Sequence, residues 1–232
     1  MLRYDTKNPK NKDRDRFILS KGHACLSLYV TLCKAGFFDK KKLATYCTIG
    51  ESHLGGHPVL GNAPGIEATT GALGHGLAYG VGIAMSAKID KKDYQTYVML
   101  GDGECQEGSI WESALFASSY GLDNLTAIVD YNKLQAMDRL ENIVGMENFE
   151  KKWNSFGWYV VRVDGHDFDQ IIDALKNHQS KKPKVIIADT IKGKRVSFME
   201  NVPLWHMRFP NEDELEILLS ELELKKEELI AQ

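Results

Sequence analysis

Two short segments carry the residues best suited to chemistry: Gly101-Asp-Gly-Glu104, and Asp130-Tyr-Asn-Lys133, which places Asn132 thirty positions after Asp102. The first follows an apolar run, Tyr97-Val-Met-Leu100, that reads as a buried strand. Asp102 is therefore expected at the carboxyl end of a parallel strand, where open α/β sheets bind ligands. Gly101 and Gly103 let the backbone approach a bulky anion, and a following helix turns N–H groups and a charge of about +0.5 toward it. Asn132 falls at the equivalent end of the next strand, so the two side-chain oxygens are expected to converge. That oxygen set suits magnesium, at about 2.0–2.1 Å, or calcium or manganese in its place, and a metal-bound diphosphate fits such a shelf. Alone, Gly-Asp-Gly reads more readily as a tight turn with a helix-capping aspartate. The strand before it, the helix after it and the asparagine thirty residues on favour the metal site.

The elements that must hold these residues follow from the pattern around them. Short apolar runs alternate with amphipathic stretches, which predicts an α/β domain with a parallel sheet and helices on both faces. Predicted strands are Tyr97–Leu100, Thr126–Asp130, Trp158–Val163 and Lys184–Ala188, all expected to be buried on both faces. A helix is predicted from about Ser109 to Tyr120, ended by Gly121, and another after Thr69-Thr70. Upstream, Ser20 precedes a helical pattern in which Leu26, Tyr29, Val30 and Cys33 share a face, with Gly36 as terminator. The tail from Asn211 to Gln232 reads as an acidic amphipathic helix with Leu215, Leu218, Leu219 and Leu222 along one side, packed on the domain or a partner.

Bulk properties exclude several classes. Among 232 residues, 29 basic and 32 acidic side chains are interspersed for a formal charge of −3, so no basic face awaits nucleic acid. The start of the chain is crowded with Lys, Arg and Asp, and no apolar run approaches the roughly 18 residues that span a bilayer. The reading is a cytoplasmic chain without membrane or nucleic-acid partners. Cys25, Cys33, Cys47 and Cys105 form neither a CxxC pair nor a zinc spacing.

Gly101-Asp-Gly-Glu-Cys-Gln-Glu-Gly108 with Asp130-Tyr-Asn-Lys-Leu-Gln135 resembles the cofactor motif of transketolases. Further stretches agree in the family's order: Asp13-Arg-Asp-Arg-Phe-Ile-Leu-Ser-Lys-Gly-His-Ala24, Gly55-Gly-His-Pro58, Pro64-Gly-Ile-Glu-Ala-Thr-Thr-Gly-Ala-Leu-Gly-His-Gly76 and Lys192-Gly-Lys-Arg-Val-Ser-Phe-Met-Glu200. The resemblance runs from about Tyr4 to Pro210 and is to the amino-terminal section of a transketolase encoded as two chains. It implies a thiamine-diphosphate-binding fold, with residues 1–210 as the diphosphate-binding domain and 211–232 as the appended helix. The family carries a leading segment ahead of Tyr4, so this domain is expected to be truncated at its amino-terminal side.

By the same resemblance, Asp102, Asn132 and the backbone carbonyl of Leu134 would bind the metal. Gly71, Leu73, Gly101, Gly103 and Glu104 would line the thiamine diphosphate, together with His23 and His206. Catalytic roles would fall to His23, His57, His206 and Glu107, the last as the acidic residue between the two cofactor sites of a dimer, where Glu112 could extend the network. The implied reaction moves a two-carbon ketol unit from a ketose, or ketose phosphate, to an aldose or its phosphate. The glutamate that activates the cofactor belongs to a pyrimidine-binding domain beyond this segment. A second, carboxyl-terminal transketolase chain is therefore expected as partner, in an α2β2 assembly.

The chain departs from the family's pattern at three places. Arg195 stands where similar sequences favour glycine, Met207-Arg208-Phe209 replaces a small glycine-containing stretch after Trp205-His206, and Ala136-Met-Asp-Arg139 replaces an Asp-Gly turn. Two alternatives stay open on sequence alone: a non-catalytic or regulatory chain, and a component of another thiamine-diphosphate enzyme.

Overall fold

The structure, a computed structural model, describes residues 2–49 and 53–224. Five parallel strands, β1 (Arg16–Leu19), β2 (Thr96–Gly101), β3 (Leu125–Tyr131), β4 (Tyr159–Asp164) and β5 (Lys184–Asp189), form one sheet in the order β1-β2-β3-β5-β4. The helices are α1 (Cys25–Lys34), α2 (His75–Ile89), α3 (Gly108–Ser119), α4 (Leu140–Ile143), α5 (Phe149–Ser155), α6 (Phe168–Lys176) and α7 (Glu212–Glu221). No helix among the described residues is long and apolar enough to cross a membrane.

The sheet's pleat sorts the core. Ile18, Val98, Leu100, Ala127, Val129, Val185 and Ile187 point to the face covered by α2, α3 and α5. The alternate residues point the other way, where Leu19 and Met99 meet α1 and Ile128, Val161, Ile186 and Ala188 meet α6. Chain direction across the sheet reverses between β3 and β5, and a right-handed crossover that runs backwards must cover the opposite face, which is why α6 lies opposite α3. Between α1 and α6 that second face is only partly covered, leaving apolar grooves of about 400 and 560 Å³ over Phe17, Tyr97, Met99 and Ile128.

All four predicted strands are present, each extended by a residue or two or shifted by one. The structure differs from the expected strands in two ways. It adds β1, and it makes β4 an edge strand with only Val163 buried, because β5 rather than β3 is its neighbour. The predicted face of α1 is also corrected: Cys25, Leu28, Tyr29 and Leu32 are buried, while Leu26 and Val30 are exposed. Gly36 (φ +88°) and Gly121 (φ +57°) end α1 and α3 as expected. Each is the left-handed residue of a Schellman closure, with Phe37 N–H donating to the Leu32 carbonyl and Leu122 N–H to that of Ala117. The acidic helix of the tail is shorter than predicted: α7 stops at Glu221, and residues 225–232 lie outside the described residues. Its capping box joins Asn211 to Glu214, Leu219 is its buried residue, and Glu221 ties it to Ser197 N–H at 2.7 Å.

Candidate active site

The carboxyl ends of β1, β2, β3 and β5 converge on one edge of the sheet and deliver Lys21, Asp102, Asn132 and Thr190 respectively. Asp102, 3% exposed, is the N-cap of a 3-10 turn over Gly103–Gln106. One carboxylate oxygen accepts from Gly103 N–H at 2.7 Å and the other from Lys133 N–H at 2.5 Å, so Asp102 clips the end of β2 to the end of β3. Lys133 turns through φ +63°, which aims its N–H back at Asp102. Beside it, the Asn132 side-chain oxygen accepts from Leu134 N–H at 2.9 Å, and buried Leu134 bridges to Arg139. Burial pushes the Asp102 carboxyl up to about 6; the two backbone N–H groups oppose the shift, nearby Asp130 adds to it, and Lys21 opposes it.

Asp130 has the opposite balance. Burial alone would raise its pKa, but Lys21 at 2.6 Å and the Thr190 hydroxyl hold it below the usual carboxylate range. Around this pair stand the imidazoles. His23 and His206 are ring neighbours, 4.9 Å between centroids, and Lys192 Nζ lies 3.5 Å from His206 Nδ1. Burial first, then Lys21, His206 and Lys192, lowers His23 to about 4. His206 is lowered by burial, Lys192 and Lys21, so both rings are neutral at pH 7. Burial and Lys21 lower Lys192 as well.

His57 comes from a separate loop that Tyr29 of α1 secures, its hydroxyl donating to the Gly55 and His57 carbonyls at 2.9 Å each. The ring lies against Gly71: a Cβ there would come within 2.6 Å of His57 Cδ2, and φ +137° is itself glycine territory. A Cβ on Gly22 would meet Gly71 N at 2.7 Å, so the loops bearing His23 and Gly71 touch through bare backbone. Gly103 is similarly close to Gln135, at 2.9 Å from its Cδ to a notional Cβ.

The structure therefore gathers Asp102, Gly103, Asn132 and Leu134 at the strand ends, with His23 and His206 as one ring pair and His57 against Gly71. Leu73 and Glu107 face outward; Glu107 is exposed at the start of α3 and makes no capping bond. Glu104 and Gly101 face the scaffold, where Glu104 accepts from Gly101 N–H at 3.1 Å. Lys21, Asp130, Thr190, Lys192 and Tyr29 join the site without having been expected there from sequence. The first, second and fourth nonetheless sit within motifs that stand out, at Ser20-Lys-Gly-His23, Asp130-Tyr-Asn132 and Lys192-Gly193, and Thr190 lies two residues before the last of these.

The donors fit a hard cation better than a soft one. Among the described residues no three His, Cys, Asp or Glu side chains are grouped to hold a metal. Asp102 and Asn132 offer one charged and one neutral oxygen, and the raised pKa of Asp102 marks a buried negative charge that a cation would relieve.

Residues 1–228 match the family model described as "Transketolase, thiamine diphosphate binding domain". The chain is 45% identical over 223 residues to one of the subunits of the apulose-4-phosphate transketolase of Phocaeicola vulgatus, covering 95% of this chain and 79% of that one. It is 38% identical over 225 residues to the 6-deoxy-6-sulfo-D-fructose transketolase subunit SqwG of a Clostridium species, covering 96% and 82%. The solved transketolase of Campylobacter jejuni superposes with a TM-score of 0.88 at 29% identity over 97% of this chain, but only 36% of that one, so this chain spans about a third of its length.

Proposed function

Because this chain belongs to the transketolase family, as a thiamine-diphosphate-binding domain, we propose that it binds the cofactor's diphosphate through a divalent metal and, with a second chain, transfers a ketol unit between sugars. The observation that carries this reading is the clip from Asp102 to Lys133 N–H, which brings Asp102 and Asn132 together at adjoining strand ends. Asp102 and Asn132 would hold magnesium, or calcium or manganese in its place, through side-chain oxygens and Leu134 through its backbone carbonyl. The bound cofactor supplies the nucleophilic carbon and the electron sink for carbon–carbon cleavage.

The chain's own groups then orient the sugar. Neutral His23 and His206 are suited to donate ring N–H hydrogen bonds to a sugar or phosphate oxygen, and His57 stands on the same rim. Lys192 brings a cation to the strand ends beside the Lys21–Asp130 pair, which suits a phosphorylated ketose. The similar proteins named for apulose-4-phosphate and for a sulfo-sugar support an anionic substrate.

A second chain is proposed because the rim is open here: His57, Leu73 and Glu107 are all exposed. The outer surface of α2 and α3 exposes Tyr79, Leu115, Phe116 and Tyr120, apolar side chains that suit an obligate interface of about 2,000 Å² or more in an α2β2 assembly. The partner would carry the pyrimidine-binding domain and its activating glutamate. Calorimetric titration of thiamine diphosphate with magnesium, into this chain alone and mixed with that carboxyl-terminal chain, tests the reading. Binding that appears or tightens with the partner, followed by turnover of a ketose phosphate, is expected; binding without turnover would indicate a regulatory chain, and absence of binding in both mixtures would overturn the proposal.

A further inference from the structure

Glu104 is 2% exposed, and three donors from three separate segments use its carboxylate. One oxygen accepts from the Ser20 hydroxyl, 84 residues away, and from Gly74 N–H at 2.9 Å, 30 residues away; the other accepts from Gly101 N–H at 3.1 Å. Ser20 leads into Lys21 and His23. Gly74 is the N-cap of α2 and closes the loop of Gly71 and Leu73, while Gly101 precedes Asp102. Glu104 itself rides on the 3-10 turn that Asp102 caps.

We propose that Glu104 is a positioning residue, the knot that holds the three loops of the cofactor shelf in register without touching the ligand. The inference rests on the proposed function for what the shelf binds, but the knot is a property of this chain alone. Its chemistry requires a carboxylate, because all three partners donate and only an ionised acid is acceptor-only. Glutamine has the same shape and leaves no cavity, yet either orientation of its amide turns an NH₂ group against an N–H or O–H donor. Three loops that drift apart would cost affinity through misplacement, with loss of a buried charge-assisted bond worth about ten- to a hundredfold.

Glu104→Gln in the full chain with its carboxyl-terminal partner tests this against Lys184→Met, a control that disrupts the distant end of α6, where Lys184 Nζ donates to the Ala174, Leu175 and Asn177 carbonyls. Thiamine diphosphate affinity at saturating magnesium, melting temperature, and hydrogen exchange at the Gly74 and Gly101 amides without cofactor are the readouts. The expected result is affinity weakened about tenfold or more in Glu104→Gln with faster exchange at both amides, and near-normal affinity in Lys184→Met even where its melting temperature falls as far. Ser20→Ala, which removes one of the three donors, shifts the same readouts in the same direction by a smaller factor and serves where Glu104→Gln does not fold. Wild-type affinity and unchanged exchange in the Glu104 or Ser20 variant would overturn the inference, as would equal affinity losses in the Glu104 and Lys184 variants. Failure of the wild-type pair to bind thiamine diphosphate would instead sink the proposed function, and the exchange readout would still decide the knot.

Discussion

At the scale of single residues, the shelf is built on opposed carboxylates. Asp102 holds a charge that burial resists, while Asp130, one strand over, is neutralised by Lys21. Asp102→Ala should abolish magnesium-dependent binding of thiamine diphosphate while leaving far-ultraviolet circular dichroism unchanged, because the backbone ladder pairing Thr96–Gly101 with Leu125–Asp130 holds β2 on β3 even when the clip at its end is lost. Unchanged affinity would remove Asp102 from the metal site. His23 sets a pH dependence. Its folded pKa, about 4, lies below the ordinary value near 6.5, so the unfolded chain takes up the proton first and stability falls as pH drops from about 6.5 through 4. Melting temperature measured across that window should decline less steeply in His23→Gln. Arg195 adopts φ +72°, a left-handed conformation that glycine meets without strain, with its N–H donating to Glu200 at 2.9 Å. Arg195→Gly should raise stability by about 1 kcal/mol in urea titration.

Asp102 and Asn132 are legible in the sequence because each needs only a local pattern, a strand end and a turn. Lys21 with Asp130, and Thr190 with Asp130, are 109 and 60 residues apart, and no local pattern announces pairs of that kind. Glu104 is legible as a motif member, but the direction it faces depends on Ser20 and Gly74, which only the fold brings to it.

At the scale of elements, helix ends are plainer in the sequence than helix faces. Gly36 and Gly121 announce their caps because a left-handed residue is a backbone demand that few side chains meet. The face of α1 is ambiguous because the segment is apolar on two sides: Leu26, Tyr29, Val30 and Cys33 fit the helical period, and so do Cys25, Leu28, Tyr29 and Leu32. β1 is hard to see because it is four residues long, its first residue is charged and it lies inside a motif that stands out for its chemistry. α6 depends on a residue outside itself. Lys184 of β5, 1% exposed and lowered by burial to about 8, satisfies three carbonyls at the end of that helix. Lys184→Met should therefore cost about 2 kcal/mol of stability, read as a lower urea midpoint.

At the scale of the molecule, α/β class and a parallel sheet follow from alternating apolar runs, but the strand order does not. Nothing local distinguishes a β5 that enters beside β3 from one that adds at the edge; that choice is made by which helix faces have apolar surface to bury. The same order distributes sequence distance unevenly. β2, α3 and β3 form a nearly continuous stretch, and so do β4, α6 and β5, whereas β1 must find β2 across the whole segment from Leu19 to Thr96. Closing so long a loop is entropically expensive and slow compared with local pairing. The Ser20 hydroxyl reaches Glu104 only after that closure. During refolding from denaturant, secondary structure should thus return well before competence to bind the cofactor, and stopped-flow circular dichroism run beside a delayed-addition binding assay would resolve the interval. A newly made chain would spend that interval with a nearly complete sheet and an unfinished shelf, making β1 docking a timing step that governs when the protein is ready to take a cofactor.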